Sequence, residues 1–213
     1  MEREEQARLW REGLVRRIAS DPPWGGGEWS PRVLAALGRV PRHWFVPALS
    51  IDVAYRDEPQ PIGHGQTISQ PTVVALMSNA LELDGSERVL EVGTGSGYQT
   101  AVLAELAAAV DTIEVYDELA HAAAIHLARY HHVRMHIGDG YAGVPERAPF
   151  DRIILTAAPP DVPPALFAQL GDRGILIAPV GTSDQLLVRY RKRGAELIRE
   201  PLGAVRFVPM VPG

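Results

Sequence analysis

The chain has 213 residues, enough for one complete α/β domain with a modest extension but not for two large domains. A formal net charge of −5 argues against general nucleic-acid binding, which needs a basic face. With no cysteine in the chain, disulfides, thiolate catalysis and thiolate metal sites are excluded together. No apolar run approaches the ~20 residues of a membrane span. The opening MEREEQARLWREG is charged and unlike a signal peptide, so the sequence predicts a soluble, cytoplasmic protein with no membrane partner.

Residues 2–19 set Leu9, Leu14, Val15 and Ile18 among charges, the pattern of an amphipathic helix. DPPWGGGEW at 21–29 then breaks it, because prolines and three successive glycines fit no regular element. Trp24 and Trp29 would form a lid or, as is more usual for tryptophan, pin the loop to the body. Ser30-Pro31 reads as an N-cap followed by proline at the first helical position, ahead of Val33, Leu34, Ala36 and Leu37. VPRHWFVP at 40–47 reads as extended and aromatic. PIGHGQTISQP at 61–71 reads as a polar loop leading into an apolar helix at 73–83. Ser69 or Gln70 could cap that helix, with Pro71 stiffening its first turn. Capping alone does not require Gln66 and Thr67, and composition leaves the choice open.

RVLEVGTGSGYQTAVLAEL at 88–106 is the stretch around which the chain is organised. Val89 to Val92 suits a buried parallel strand, Gly93, Gly95 and Gly97 suit a tight turn, and a helix follows from Tyr98. Strand, glycine turn and helix form the nucleotide-cradling unit of a doubly wound sheet. A dinucleotide site would read GxGxxG, but here the spacing is the more compact GxGxG, with Tyr98 in place of the last glycine. Glu91 is a carboxylate that could face an amino-acid ammonium. Glu114, ending a strand at 110–115, can grip ribose hydroxyls. A cationic amino-acid nucleoside fits these features better than a pyrophosphate. They resemble the S-adenosylmethionine site of class I methyltransferases.

Strands are predicted at 88–93, 110–115, 133–137, 150–156 and 173–178, with helices near 98–108, 117–131 and 163–170. The alternation implies a doubly wound, mostly parallel sheet with helices on both faces, a Rossmann-like α/β fold. Short runs at 185–190, 195–199 and 205–208 predict antiparallel strands at the end. Residues 1–71 would form a helical, substrate-side extension and 72–213 the cofactor-binding core of one domain. Asp139-Gly140 follows the third strand of the alternation, where an Asp can accept from an adenine amino group or simply make a turn. Thr156-Ala157-Ala158-Pro159-Pro160 ends the fourth strand, facing the methyl group in this kind of fold. Its residues are small and include no carboxamide to hold an amine, which points to an acceptor other than nitrogen. His121, His126, His131, His132 and His136 lack an HExxH pattern, and no metal site is predicted.

VPRHWFVP at 40–47, PIGHGQTISQP at 61–71, VLEVGTGSGYQTAVLAEL at 89–106 and APFDRIILTAAPPDVPPAL at 148–166 carry a more specific likeness. Together with GDG at 138–140, ILIAPVG at 175–181 and VRFVPMV at 205–211, they resemble the protein-L-isoaspartate O-methyltransferases, repair enzymes for isomerised aspartyl residues. The glycine block is shared by many methyltransferases, whereas GQTISQP is highly specific. The sequence departs from the pattern at His64, where the bacterial family usually has Gln, and in the DPPWGGGEW insertion. The resemblance implies that Gly93, Thr94, Gly95 and Gly97 wrap the methionyl part of S-adenosylmethionine. Glu114 would take its ribose and Asp139 with Gly140 its adenine, with Val115 a further cofactor-binding residue. Gln66, Thr67 and Ile68 would line its other side, and Thr156 would stand near the methyl. Ser69 matches the family's active-site serine, with Gln70 and Val205, Arg206, Phe207 and Val208 at the substrate. The implied reaction is methyl transfer to the α-carboxylate of an L-isoaspartyl residue in a protein or peptide. An enzyme of the same subfamily dedicated to one peptide is the alternative, separated by its breadth of acceptor. A non-catalytic binding module would be expected to lose Ser69 or the glycines, and both are present.

Overall fold

The computed structural model describes residues 2–23 and 26–213. Helices α1 (Glu2–Ser20), α2 (Pro31–Arg39) and the short α3 (Ile51–Ala54) come first. A hairpin of β1 (Gln60–Gly63) and β2 (Gln66–Ile68) follows, then α4 (Pro71–Ala80). Helix α1 buries Ala7, Leu14 and Ile18, but Leu9 stays 54% exposed, so its apolar stripe is narrower than the sequence suggests. Helix α2 starts at Pro31 as expected, yet the Ser30 hydroxyl makes no cap bond. The Ser30 N–H instead donates to Asn79 Oδ1 at 2.8 Å, which ties the entry of α2 to α4.

Two early segments differ from expectation. Residues 40–47 are not extended, since Arg42–Phe45 form a 3-10 turn that buries Arg42, His43 and Phe45. A segment with a buried arginine cannot be read from hydrophobic pattern, because arginine is normally a surface residue. The stretch read as a loop at 61–71 contains the β1–β2 hairpin. Gly63 (φ 96°), His64 (φ 52°) and Gly65 (φ 70°) make its turn, and flanking glycines in left-handed backbone give it a loop-like composition.

From β3 (Arg88–Val92) the expected alternation runs through α5 (Tyr98–Ala104), β4 (Ala109–Glu114), α6 (Asp117–Leu127), β5 (Val133–Ile137) and β6 (Phe150–Leu155). It closes with α7 (Pro164–Gln169), β7 (Leu170–Val180), β8 (Gln185–Arg193) and β9 (Glu196–Val205). The main sheet has the order β5-β4-β3-β6-β7-β8-β9. Strands β3 to β7 pair parallel, while β8 and β9 add antiparallel. The doubly wound fold with antiparallel C-terminal strands is therefore as read. The last two expected strands are different: a single β9 runs to Val205, and 206–208 lie beyond it. Pro201 and Gly203 made the run look broken, but β9 is an edge strand, where proline is tolerated, and a register shift absorbs the irregularity.

Successive residues of β6 face opposite layers, as a strand's period of two requires. Ile154 joins a cluster with Val33, Leu37, Val74 and Val102, so α2, α4 and α5 cover that face; Ala7 and Leu14 of α1 belong to the same cluster. Ile153 and Leu155 join the other cluster, with Leu90 and Leu166. Strand β3 has β4 on one side and β6 on the other, so the direction of winding reverses there. Its carboxyl end is the crevice where an open α/β sheet takes a ligand.

Candidate active site

The turn after β3 is held from several directions. Gly93 (φ 99°), Gly95 (φ 54°) and Gly97 (φ 87°) all need left-handed backbone. A Cβ at Gly93 would also collide with Thr156 Oγ1, which donates to Gly93 O at 2.5 Å and Val92 O at 3.1 Å. The end of β6 is thus clipped to the glycine turn. From the next strand, Glu114 Oε2 accepts the Gly95 N–H at 2.8 Å, and Oε1 accepts the Val115 and Tyr116 N–H groups at 3.0 and 3.1 Å. Three of the roughly four acceptor positions of this carboxylate are occupied. One remains for a ligand hydroxyl.

These elements line a cleft with about 770 Å³ of empty space, the solvent at its mouth included. The hairpin side contributes Gln66, Thr67 and Ile68, and the turn contributes Gly93, Thr94 and Gly95. Glu114, Val115, Gly140 and Thr156 complete the expected set on its wall. Three expected residues are not on the wall. Gly97 begins α5 and packs on α6, where a Cβ would come within 3.2 Å of Ala123. Asp139 Oδ1 accepts the Tyr141 N–H at 2.9 Å, so it makes the turn that brings Gly140 to the cleft.

Glu91 is the clearest correction. Its carboxyl does not face the cleft but lies fully buried, with Oε2 accepting the hydroxyls of Thr100 at 2.5 Å and Thr112 at 2.8 Å. Burial pushes its pKa up to about 8, so the group is predominantly neutral at pH 7. Thr112 in turn shares a 2.7 Å hydrogen bond with Thr94 of the glycine turn. Glu91 therefore anchors the floor of the turn from the layer between β3 and α5, because a central strand offers its side chains no route to solvent.

An open groove of about 1320 Å³ adjoins the cleft, lined by the expected Ser69, Gln70, Val205, Arg206, Phe207 and Val208. Thr67, Ser69, Thr156 and Val208 belong to both cavities. Ser69 does not cap α4. The N-cap is Gln70, whose side chain makes no cap bond. Asp57 supplies the acceptors instead: Oδ1 takes the Thr72 N–H at 2.8 Å, and Oδ2 takes the Thr72 hydroxyl at 2.6 Å and Gln70 Nε2 at 3.1 Å. Among the described residues the Ser69 hydroxyl has no hydrogen-bond partner. On the facing wall, the Gln185 side chain accepts the Phe207 N–H at 2.6 Å and donates to Phe207 O at 3.0 Å.

Sequence reasoning missed Asp57 and Gln185, which act far from their chain neighbours and leave no local pattern. It also missed Tyr116 and Met210 on the cleft wall. Tyr116 stands two residues beyond Glu114, a position the strand reading could have flagged. Trp29 packs partly buried against the core, as expected of a tryptophan that pins its loop, and its Nε1–H closes the loop by donating to Asp21 O at 2.6 Å; Trp24 lies outside the described residues. Three of the five histidines have structural partners, His121 among them with Nδ1 2.7 Å from Asp117 O. His136 Nε2 is 2.8 Å from Asp111 Oδ1, and His132 Nε2 is 2.8 Å from Ala104 O.

The family model of protein-L-isoaspartate(D-aspartate) O-methyltransferase matches residues 26–213. A protein-L-isoaspartate O-methyltransferase from Opitutus terrae is 54% identical over 209 residues, covering 96% of this chain and 86% of that one. One from Dictyoglomus thermophilum is 51% identical over 184 residues, covering 85% and 84%. Among solved structures, a protein-L-isoaspartate O-methyltransferase aligns with a TM-score of 0.83 at 28% identity, over 93% of this chain and 65% of that chain. A Plasmodium falciparum protein of similar description, in complex with S-adenosyl-L-homocysteine, aligns at a TM-score of 0.78 and 24% identity, over 96% and 97%, and bears on the fold.

Proposed function

The chain belongs to the protein-L-isoaspartate(D-aspartate) O-methyltransferase family, and on that premise we propose which of its residues carry the reaction. It is a protein repair enzyme that transfers a methyl group from S-adenosylmethionine to L-isoaspartyl residues. Gly93, Thr94 and Gly95 would hold the methionyl part, Glu114 the ribose, and Gly140 with Val115 the adenine side. Gln66, Thr67 and Ile68 would cover the cofactor from the hairpin. Three backbone donors already orient Glu114, so the site requires little rearrangement to accept a hydroxyl. When bound, the sulfonium supplies an electrophilic methyl and a good leaving group.

The chain's own work is alignment. The acceptor carboxylate, with a pKa near ~4, is already ionised at pH 7, so no general base is needed. Ser69 stands where cleft and groove meet, and its hydroxyl is not used by α4. We assign it to donate to the acceptor carboxylate and point one oxygen across the junction. Holding two reactants in line can supply roughly 7–11 kcal/mol of the barrier. Thr156 uses its one hydroxyl proton on Gly93 O and Val92 O, and Ala157 and Ala158 after it bring no carboxamide or carboxylate to hold an amine. For the substrate backbone, residues 206–208 line the groove, with Val208 O already accepting the Ala158 N–H at 2.8 Å. Gln185 occupies both backbone groups of Phe207, while the N–H and C=O of Arg206 have no partner among the described residues.

The observation that carries this reading is the sharing of Ser69 between the two cavities. Its test is Ser69→Ala, assayed on an isoaspartyl peptide. Loss of one hydrogen bond to a charged group is worth about 1.5–3 kcal/mol, so kcat should fall roughly ten- to a hundredfold. Affinity for S-adenosylhomocysteine should stay unchanged. Unaltered kcat would remove Ser69 from the mechanism.

A further inference from the structure

We propose that Asp57 is a positioning residue for methyl transfer, fixing Ser69 at the junction by tying both ends of the β1–β2 hairpin to α4. The inference rests on the role given to Ser69 above. The hairpin pairs with no strand of the main sheet, and a lone two-stranded hairpin is marginal in water. Its placement over the cofactor cleft must come from ties outside its own ladder. Asp57 precedes β1, whereas Gln70 and Thr72 follow β2, so the three hydrogen bonds to Asp57 close the base of the hairpin. Ser69 is the residue between that base and the strand. Gln70, held through its Nε2, also lines the acceptor groove.

The backbone that carries Asp57 is itself held on both sides. Arg42 is fully buried, and it donates through Nε to Ala54 O at 2.9 Å and through Nη2 to Glu58 O at 3.4 Å. Those carbonyls stand on either side of Asp57. The Arg42 guanidinium lies 4.9 Å from the ring centroid of Tyr98, which opens α5 and lines the cofactor cleft. Contacts thus run from the cofactor wall through Tyr98 and Arg42 to the backbone on either side of Asp57, and from the Asp57 carboxylate to the residue beside Ser69. The competing role for Asp57 is that of a helix cap and nothing more. A cap supports stability in any background, but a positioning residue loses its kinetic effect once the group it positions is gone.

The experiment is a double-mutant cycle in the full chain, with kcat and KM measured on an isoaspartyl peptide and S-adenosylhomocysteine affinity measured by calorimetry. Asp57→Ala should lower kcat at least ~10-fold, since a displacement of about 1 Å can cost 100-fold, while product affinity changes less than ~3-fold. Asp57→Asn keeps an acceptor for the Thr72 N–H and should recover part of the rate. In a Ser69→Ala background, Asp57→Ala should change kcat by less than ~2-fold, because the two residues act as one unit. Fully multiplicative effects on kcat would overturn the proposal. So would wild-type kcat in Asp57→Ala accompanied only by a lower melting temperature. If Ser69→Ala alone leaves kcat unchanged, the role of Ser69 fails and this inference falls with it. Should Asp57→Ala not fold, Asp57→Asn and Thr72→Val complete the same cycle.

Discussion

Glu91 shows how much a single residue's environment decides. Its position before the glycine turn suggests a carboxylate facing an ammonium, whereas the fold makes it a buried acid with a pKa of about 8 against an ordinary 4.5. The folded chain therefore keeps a proton that the unfolded chain gives up between those values. That contribution to stability is fully present below about pH 4.5 and is lost as pH rises through 8. We predict that Glu91→Gln, which retains an acceptor for Thr100 and Thr112, flattens this slope. Its melting temperature should fall less than that of the wild type between about pH 5 and pH 8. Identical slopes in calorimetry would show that Glu91 is ionised in the fold. Glu114 is the opposite case, a cleft carboxylate legible from its place at the end of β4. On the assignment proposed above, Glu114→Ala removes the ribose acceptor as it releases the Gly95 N–H. It should weaken S-adenosylhomocysteine binding by at least ~10-fold in calorimetry, the lower end of a lost charged hydrogen bond.

At the scale of elements, the β1–β2 hairpin is what sequence pattern conveyed least. Its strands are four and three residues long, too short to show alternation, and its turn glycines resemble those of a loop. Structure gives it a tip contact as well as a base. The His64 ring stacks on Tyr116 with centroids 5.0 Å apart, and Nε2 lies 3.9 Å from Glu118 Oε2, so the tip reaches the far wall of the cofactor cleft. His64 also takes φ 52°, a conformation costing a non-glycine residue roughly 1–2 kcal/mol. We predict that His64→Gly speeds dissociation of S-adenosylhomocysteine several-fold in stopped-flow displacement without lowering the melting temperature, because lost stacking is offset by relieved backbone. An unchanged off-rate would show that the tip does not hold the cover closed. Strand β9 illustrates a different failure. Pro201 and Gly203 signal breaks locally, but an edge position tolerates both.

In the whole molecule, the α/β core was legible because its strands are short runs rich in apolar and β-branched residues that alternate with helices across short connections. Residue type alone conveyed the glycines of the left-handed turn and the acid that ends β4, whereas the place of the GQTISQP block at the junction was expected only from the family resemblance. The site was not legible where long-range bonds decide, as with Asp57 closing the hairpin or Gln185 holding Phe207. Because the cleft is built from both the N-terminal hairpin and the core, ligand binding should stabilise the entire fold. At a hundred times its dissociation constant, S-adenosylhomocysteine adds about 2.7 kcal/mol, which for a chain of this size raises the melting temperature by roughly 5–11 °C. No shift in scanning fluorimetry would mean that the cleft does not take the nucleoside. The most direct measurement uses methyl-labelled S-adenosylmethionine with an isoaspartyl peptide and its normal aspartyl isomer, quenched in acid and then exposed to mild alkali. The predicted result is label on the isoaspartyl peptide alone, released as methanol by alkali as an ester must be. Equal labelling of the aspartyl isomer would contradict an acceptor selected as isoaspartyl, and label that survives alkali would contradict a carboxylate acceptor.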